Sequence, residues 1–91
     1  MCPINVNSVT IDHIVDFGKD RTTFAAAREP DTRHLRIFLI YQDTGNVYTR
    51  NGRADSWEEL YGRDRDSIIA RITAARNNHI PVYKINGSHN T

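Results

Sequence analysis

The stretch His34-Leu35-Arg36-Ile37-Phe38-Leu39-Ile40-Tyr41 is the densest apolar run in a chain of 91 residues. It is far shorter than the ~20 apolar residues a membrane-spanning helix needs. It is also rich in β-branched and aromatic residues, so it reads as a strand. Successive side chains of a strand point to opposite faces. Leu35, Ile37, Leu39 and Tyr41 therefore face one way, and Phe38 and Ile40 the other. Both sets are apolar, which predicts a central strand that needs cover on both sides.

Working outward, Asp43-Thr44-Gly45-Asn46 is the clearest turn. A tight tip at Thr44-Gly45 would pair Tyr41 with Tyr48, Ile40 with Thr49 and Leu39 with Arg50, and Asn51-Gly52 would end the second strand. On the N-terminal side, Arg21 to Glu29 carries conflicting signals. Ala25-Ala26-Ala27 favours helix. Thr22, Thr23 and Phe24 favour strand, and Pro30-Asp31 fits the middle of a β-turn. A segment that turns directly into the central strand reads best as its hairpin partner, with the small alanines leaving room for something bulky above them.

Residues 8–18 admit two readings. As a strand, Val9, Ile11, Val15 and Phe17 share a face with His13, and Ile14 is a misfit. As a helix, Thr10 is the cap, Ile11, Ile14 and Val15 form a stripe, and Gly18 is the stop. The strand is preferred. Towards the C-terminus, Ser56-Trp57-Glu58-Glu59 has the pattern of a capping box. Gly62 interrupts it, Asp64 or Asp66 offers a second start, and Ile68, Ile69, Ile72 and Ala75 make an apolar stripe that ends at Asn77-Asn78. Ile80 to Ile85 reads as a short strand whose Pro81 marks a start or an edge.

Together these predict one compact α+β domain over residues 1–91 with short flexible termini. An antiparallel meander of three to four strands carries one main amphipathic helix, from about Ser56 to Asn77, and a short C-terminal strand. The set Leu35, Ile37, Leu39, Tyr41 and Tyr48 is the larger, and is the expected bed for the helix.

The net charge is +1, with 25% charged and 38% hydrophobic residues. That is an ordinary globular balance and gives no global electrostatic case for nucleic acid or membrane. The lone cysteine, Cys2, rules out an intrachain disulfide and fits a reducing compartment. No signal-peptide pattern or membrane-length run occurs, so a cytoplasmic location is expected.

Catalytic signatures are missing. There is no G-x-S-x-G, P-loop or G-x-G-x-x-G, and His13, His34, His79 and His89 show no metal-ligand spacing. No enzyme activity, cofactor or metal is expected. Asp12, Asp16 and Asp20 recur every four residues, which keeps them on one side in either secondary structure. Such an acidic row could hold a divalent cation or mimic phosphates, although a solvated face is the commoner outcome. Between Arg21 and Arg53, six arginines face three acidic residues, with aromatics interleaved. Arg36, Tyr48, Arg50 and Arg53 are accordingly the residues that would contact a nucleic acid on a sheet surface. A helix-turn-helix over 56–77 is disfavoured, because Arg63-Asp64-Arg65-Asp66 puts acids where phosphates would pass.

The functional expectation is a small non-catalytic intracellular protein that binds a protein partner. Compact lone domains of this size are common among inhibitors and adaptors, including those of phages and mobile elements, an analogy of size alone. One helix covers one face. Phe38 and Ile40, with Val47, are therefore expected to remain open as a surface for a protein partner or for homodimerisation. Nucleic-acid binding through the Arg/Tyr surface is the alternative.

Overall fold

The computed structural model describes residues 8–29, 34–51 and 56–87. Its elements run β1 (Thr10–Phe17), β2 (Thr22–Arg28), β3 (Leu35–Tyr41), β4 (Val47–Asn51), β5 (Glu58–Leu60), α1 (Gly62–Asn77) and β6 (Val82–Ile85). The strands form one sheet in the order β5-β4-β3-β2-β1-β6. Neighbours from β1 to β5 are antiparallel, and β6 joins β1 in parallel. The fold is α+β, as expected, with a longer meander. Because β5 and β6 lie at opposite edges, α1 carries the chain from one edge to the other over a single face.

β1 settles the ambiguity of residues 8–18 as a strand with a bulge. Ile11 pairs with Ala27 and His13 with Ala26, so Asp12 is the extra residue. Ile11 then points to the same side as Ile14, which is fully buried. His13, Val15 and Phe17 take the opposite side. The bulge is thus what accommodates Ile14, and it also breaks the regular spacing of Asp12 and Asp16. β2 is the hairpin partner of β3, with Phe24 opposite Leu39 and Ala25 opposite Phe38. The turn at Pro30-Asp31 lies outside the described residues.

The β3–β4 hairpin is slipped relative to the expected pairing. Ile40 pairs with Val47, Leu39 with Tyr48 and Phe38 with Thr49. The amide of Tyr41 donates to Asn46 O and that of Gly45 to Tyr41 O, so the loop spans Gln42–Gly45 rather than a two-residue tip. Gly45 closes it at φ 75°, a left-handed conformation that glycine adopts without steric cost. The slip moves partners by two positions and leaves each residue on its expected face.

α1 starts later than the capping-box pattern suggests. Its cap is Tyr61, with no side-chain capping bond, and Asp64 falls in the first turn rather than at the cap. Ser56 to Leu60 leads instead into the edge strand β5, where Leu60 pairs with Val47 and is buried. Burial of Leu60 outweighs a local cap worth about 1 kcal/mol. At the other end, the amide of His79 donates to Arg76 O and that of Ile80 to Ala75 O. These are the two bonds of a Schellman stop, with His79 at φ 63° where glycine is usual. Ile80 packs on the core.

The core lies between α1 and the Phe38 side of the sheet. It comprises Val9, Ile14, Ala25, Ala27, Phe38, Val47 and Leu60 beneath Ile68, Ile72 and Ala75. This reverses the expected assignment of faces. Phe38 and Val47 have no exposed surface, and Ile40 packs partly buried beside them, so they are helix bed and not an open patch. The reason is volume. Ala25 and Ala27 flank Phe38 on its own face and admit the helix isoleucines. The other face presents Phe24, Leu39 and Tyr48 in the same strands. Ile69, counted in the stripe, is more than one-third exposed.

Three substitutions test this arrangement in denaturant melts. Phe38→Ala should cost about 3–5 kcal/mol as a cavity in the core. Ser56→Ala should stay within about 0.5 kcal/mol, the range of a surface site. His79→Gly should stabilise by up to about 1 kcal/mol, because it removes the left-handed strain and keeps the helix stop.

Candidate functional site

Two places gather chemistry. The first is a polar network at one end of the helix–sheet interface. Arg76, in the last turn of α1, makes a two-pronged contact with Asp16 on β1, with Nη1 to Oδ2 at 2.9 Å and Nη2 to Oδ1 at 2.6 Å. The Thr23 hydroxyl donates to the same carboxylate at 2.7 Å, and Gln42 Nε2 donates to Thr23 Oγ1 at 3.1 Å. Beside it runs a cleft of about 290 Å³, lined by Asp16, Thr23, Ile40, Gln42, Ile69 and Arg76 among others. The Arg76 hydrogen bond is the main cause that holds the Asp16 carboxyl below its ordinary value. Burial opposes it, and the Thr23 hydroxyl adds to the lowering. Thr23 and Asp16 spend their bonding capacity on each other and on Arg76. The network therefore reads as a latch that fixes the helix C-terminus to β1.

The second place is the face of the sheet opposite α1. The strand registers align one row across all six strands: Glu59, Tyr48, Leu39, Phe24, Val15 and Tyr83. Tyr41 and Phe17 flank it on one side, and Ile37 and His13 on the other. Phe17 meets Phe24 edge-on at 5.3 Å, and Tyr41 meets Tyr48 edge-on at 5.6 Å. Trp57 precedes β5 and lies back across the sheet to stack on Phe24, with ring centroids 6.2 Å apart. The Arg50 guanidinium sits 5.0 Å from the Trp57 ring centre, within cation–π range. No described helix lies over this face. Trp57, Tyr83 and Ile85 are exposed on it, and most of the other apolar residues named are half-buried.

The candidates read from sequence are scattered by this geometry. Phe38, Ile40 and Val47 are under α1. Tyr48 and Arg50 are on the open face, but Arg36 is on the helix side, where its guanidinium binds Glu29 at 2.8 Å with both side chains largely buried. Arg53 lies outside the described residues, as does Cys2. The acidic row does not form. Asp12 sits at the bulge and pairs with Arg28 at 3.3 Å, Asp16 turns toward Arg76, and Asp20 lies in the turn after β1. Among the described residues no group of three or more potential metal ligands comes together. The sequence reading missed Phe17, Phe24 and Trp57 as a group. Alternation along β1 and β2 places the two phenylalanines, but the backward fold of Trp57 has no local signal.

The latch carries a pH dependence. Asp16 has a lower carboxyl pKa in the folded chain than when unfolded, so its contribution to stability is complete above the unfolded value near 3.9. It is lost as the pH falls through the lower folded value. Asp16→Asn should cost about 1–3 kcal/mol at neutral pH. Its urea midpoint should fall less steeply than that of wild type below about pH 4. Parallel acid profiles for the two proteins would remove the latch.

Compared with known protein families, curated proteins and solved structures, the chain matches none.

Proposed function

We propose that this chain is a small cytoplasmic, non-catalytic protein that docks on a protein partner, of inhibitor or adaptor type, through the open face of its sheet. The observation that supports this reading is the aromatic row. Five strands present Tyr48, Leu39, Phe24, Val15 and Tyr83 in line, with Trp57 stacked on Phe24, and no described helix over them. Contiguous apolar surface of that kind is uncommon on a monomer unless something binds it. Trp, Tyr and Arg are also the residues that dominate binding energy at protein interfaces.

The arrangement is less suited to nucleic acid. Aromatics on an open sheet can stack bases, but phosphate neutralisation needs a basic surface. The described charges on this face are Arg28 and Arg50 against Asp12 and Glu59, which balance. Arg36 is turned to the other side and held by Glu29. The nearest approach to that chemistry is Arg50 on Trp57.

The reading is tested with dilute protein, an apolar fluorescent dye and a labelled single-stranded oligonucleotide. The folded protein should bind the dye, and Tyr83→Glu should weaken that binding while leaving the denaturant midpoint within about 0.5 kcal/mol of wild type, as at a surface site. Oligonucleotide anisotropy should not change. Oligonucleotide binding that falls steeply between ~50 and ~200 mM salt would replace the protein partner with nucleic acid. A folded protein that binds neither probe would remove the open face altogether.

A further inference from the structure

We infer that the occupant of the open face is a second copy of this chain, packed sheet against sheet about a two-fold axis. The inference rests on the open-face reading above and adds the identity of the partner. It stands on three features of that face.

The first is charge. A two-fold interface places the same patch on both sides, so each charge must find its complement within the patch itself. A face with an excess of one sign would repel its own copy. This one carries Arg28 and Arg50 against Asp12 and Glu59, one of each sign towards either side of the sheet. Glu59 is next to Tyr48 at the β5 side, and Arg50 is two positions further along β4. A strongly charged partner would find no counter-field here, whereas an identical, balanced face is not repelled.

The second is size. Six strands about 4.8 Å apart, with runs of up to eight residues at about 3.3 Å each, make a flat area of roughly 500–600 Å². Side-chain relief raises the accessible area above the flat one. It approaches the ~800 Å² per partner of a stable interface without recruiting any other surface.

The third is shape. The face is an antiparallel sheet for five of its six strands, with apolar side chains standing along the middle row. Two such faces stack with their side chains interleaved at about 10 Å separation and a strand angle near 30°, as in a β-sandwich. Stacking would cover Tyr83 and Ile85, which the monomer leaves 56% and 45% exposed on β6. It would also enclose Trp57, the sole tryptophan, so the indole reports on the contact.

The experiment is sedimentation velocity over a wide concentration range, with Trp57 emission followed on the same samples. Wild type should have the mass of a dimer at high concentration and dissociate on dilution, with Trp57 emission shifting to the red as it does so. Added salt should change the midpoint little, because the contact is mainly apolar. Tyr83→Glu should weaken association by about tenfold or more, the effect of losing an interface hot spot. Ile85→Lys is the second variant should the first fail to fold. Lys84→Glu is the control, since Lys84 pairs with Asp16 on the helix side of the same strand, and its dimer should match wild type.

A wild type that stays monomeric throughout while still binding the apolar dye would overturn self-association and leave the open face to a different protein. Monomer without dye binding would overturn both. A dimer indifferent to Tyr83→Glu and Ile85→Lys but lost in Lys84→Glu would place the contact elsewhere and overturn the inference.

Discussion

One helix can cover only one face of a sheet. Every choice in this molecule follows from which face that is. The deciding residues are Ala25 and Ala27. They sit beside Phe38 with no exposed surface, in one buried cluster with Ile68 and Ile72. A larger side chain at either position would push the helix away from the sheet, since close-packed interiors tolerate little added volume. The adjacent positions on the other face are filled by Phe24 and Leu39, over which no second helix lies among the described residues. The alanines of β2 thus select the buried side, and the aromatics of the same hairpin are left on the side that remains.

The latch between Asp16 and Arg76 belongs to the same constraint. α1 must cross from the β5 edge to the β6 edge, and among its residues Ile68, Ile72 and Ala75 are the buried ones. A fork between a carboxylate and a guanidinium fixes both the distance and the rotation of the last turn. The Schellman stop at His79 then turns the chain down onto β1's free edge. Arg71 adds a further tie, donating from Nη1 to the carbonyl of Val9 at 3.1 Å.

Much of this was legible in the sequence because it is local. The strand at 35–41 is visible in its composition, the hairpin in Thr44-Gly45, the helix in its isoleucine spacing, and the edge strand in Pro81. What was not legible depended on distant partners. Ile14 looks misplaced until Asp12 bulges, which sets Ile11 opposite Ala27 and Ile14 opposite Ala25 of a different strand. Ser56 and Glu59 match a capping box, yet the segment is drawn into the sheet by Leu60 meeting Val47 from a different strand. The inversion of the faces is the same kind of error. Counting apolar residues favoured the side with Leu35, Ile37 and Leu39. Counting the room they leave would have favoured the side with the alanines. The candidate site was legible only in part: Tyr48 and Arg50 were identified, but their grouping with Trp57 and Phe24 spans three connections of the chain.

The parallel pairing of β6 with β1 has a kinetic side. The hairpins from β1 to β5 join segments close in sequence, so they can form with little loss of chain entropy. β6 pairs Val82 with Ile14 across nearly the whole described chain, and cannot do so until α1 has crossed the sheet. A chain still being synthesised, complete only as far as α1, would show a bare β1 edge beside an unlatched helix. Unpaired strand edges recruit other chains. The strand that ends the described fold is therefore also the one whose late arrival most exposes the growing molecule to mispairing with its own copies.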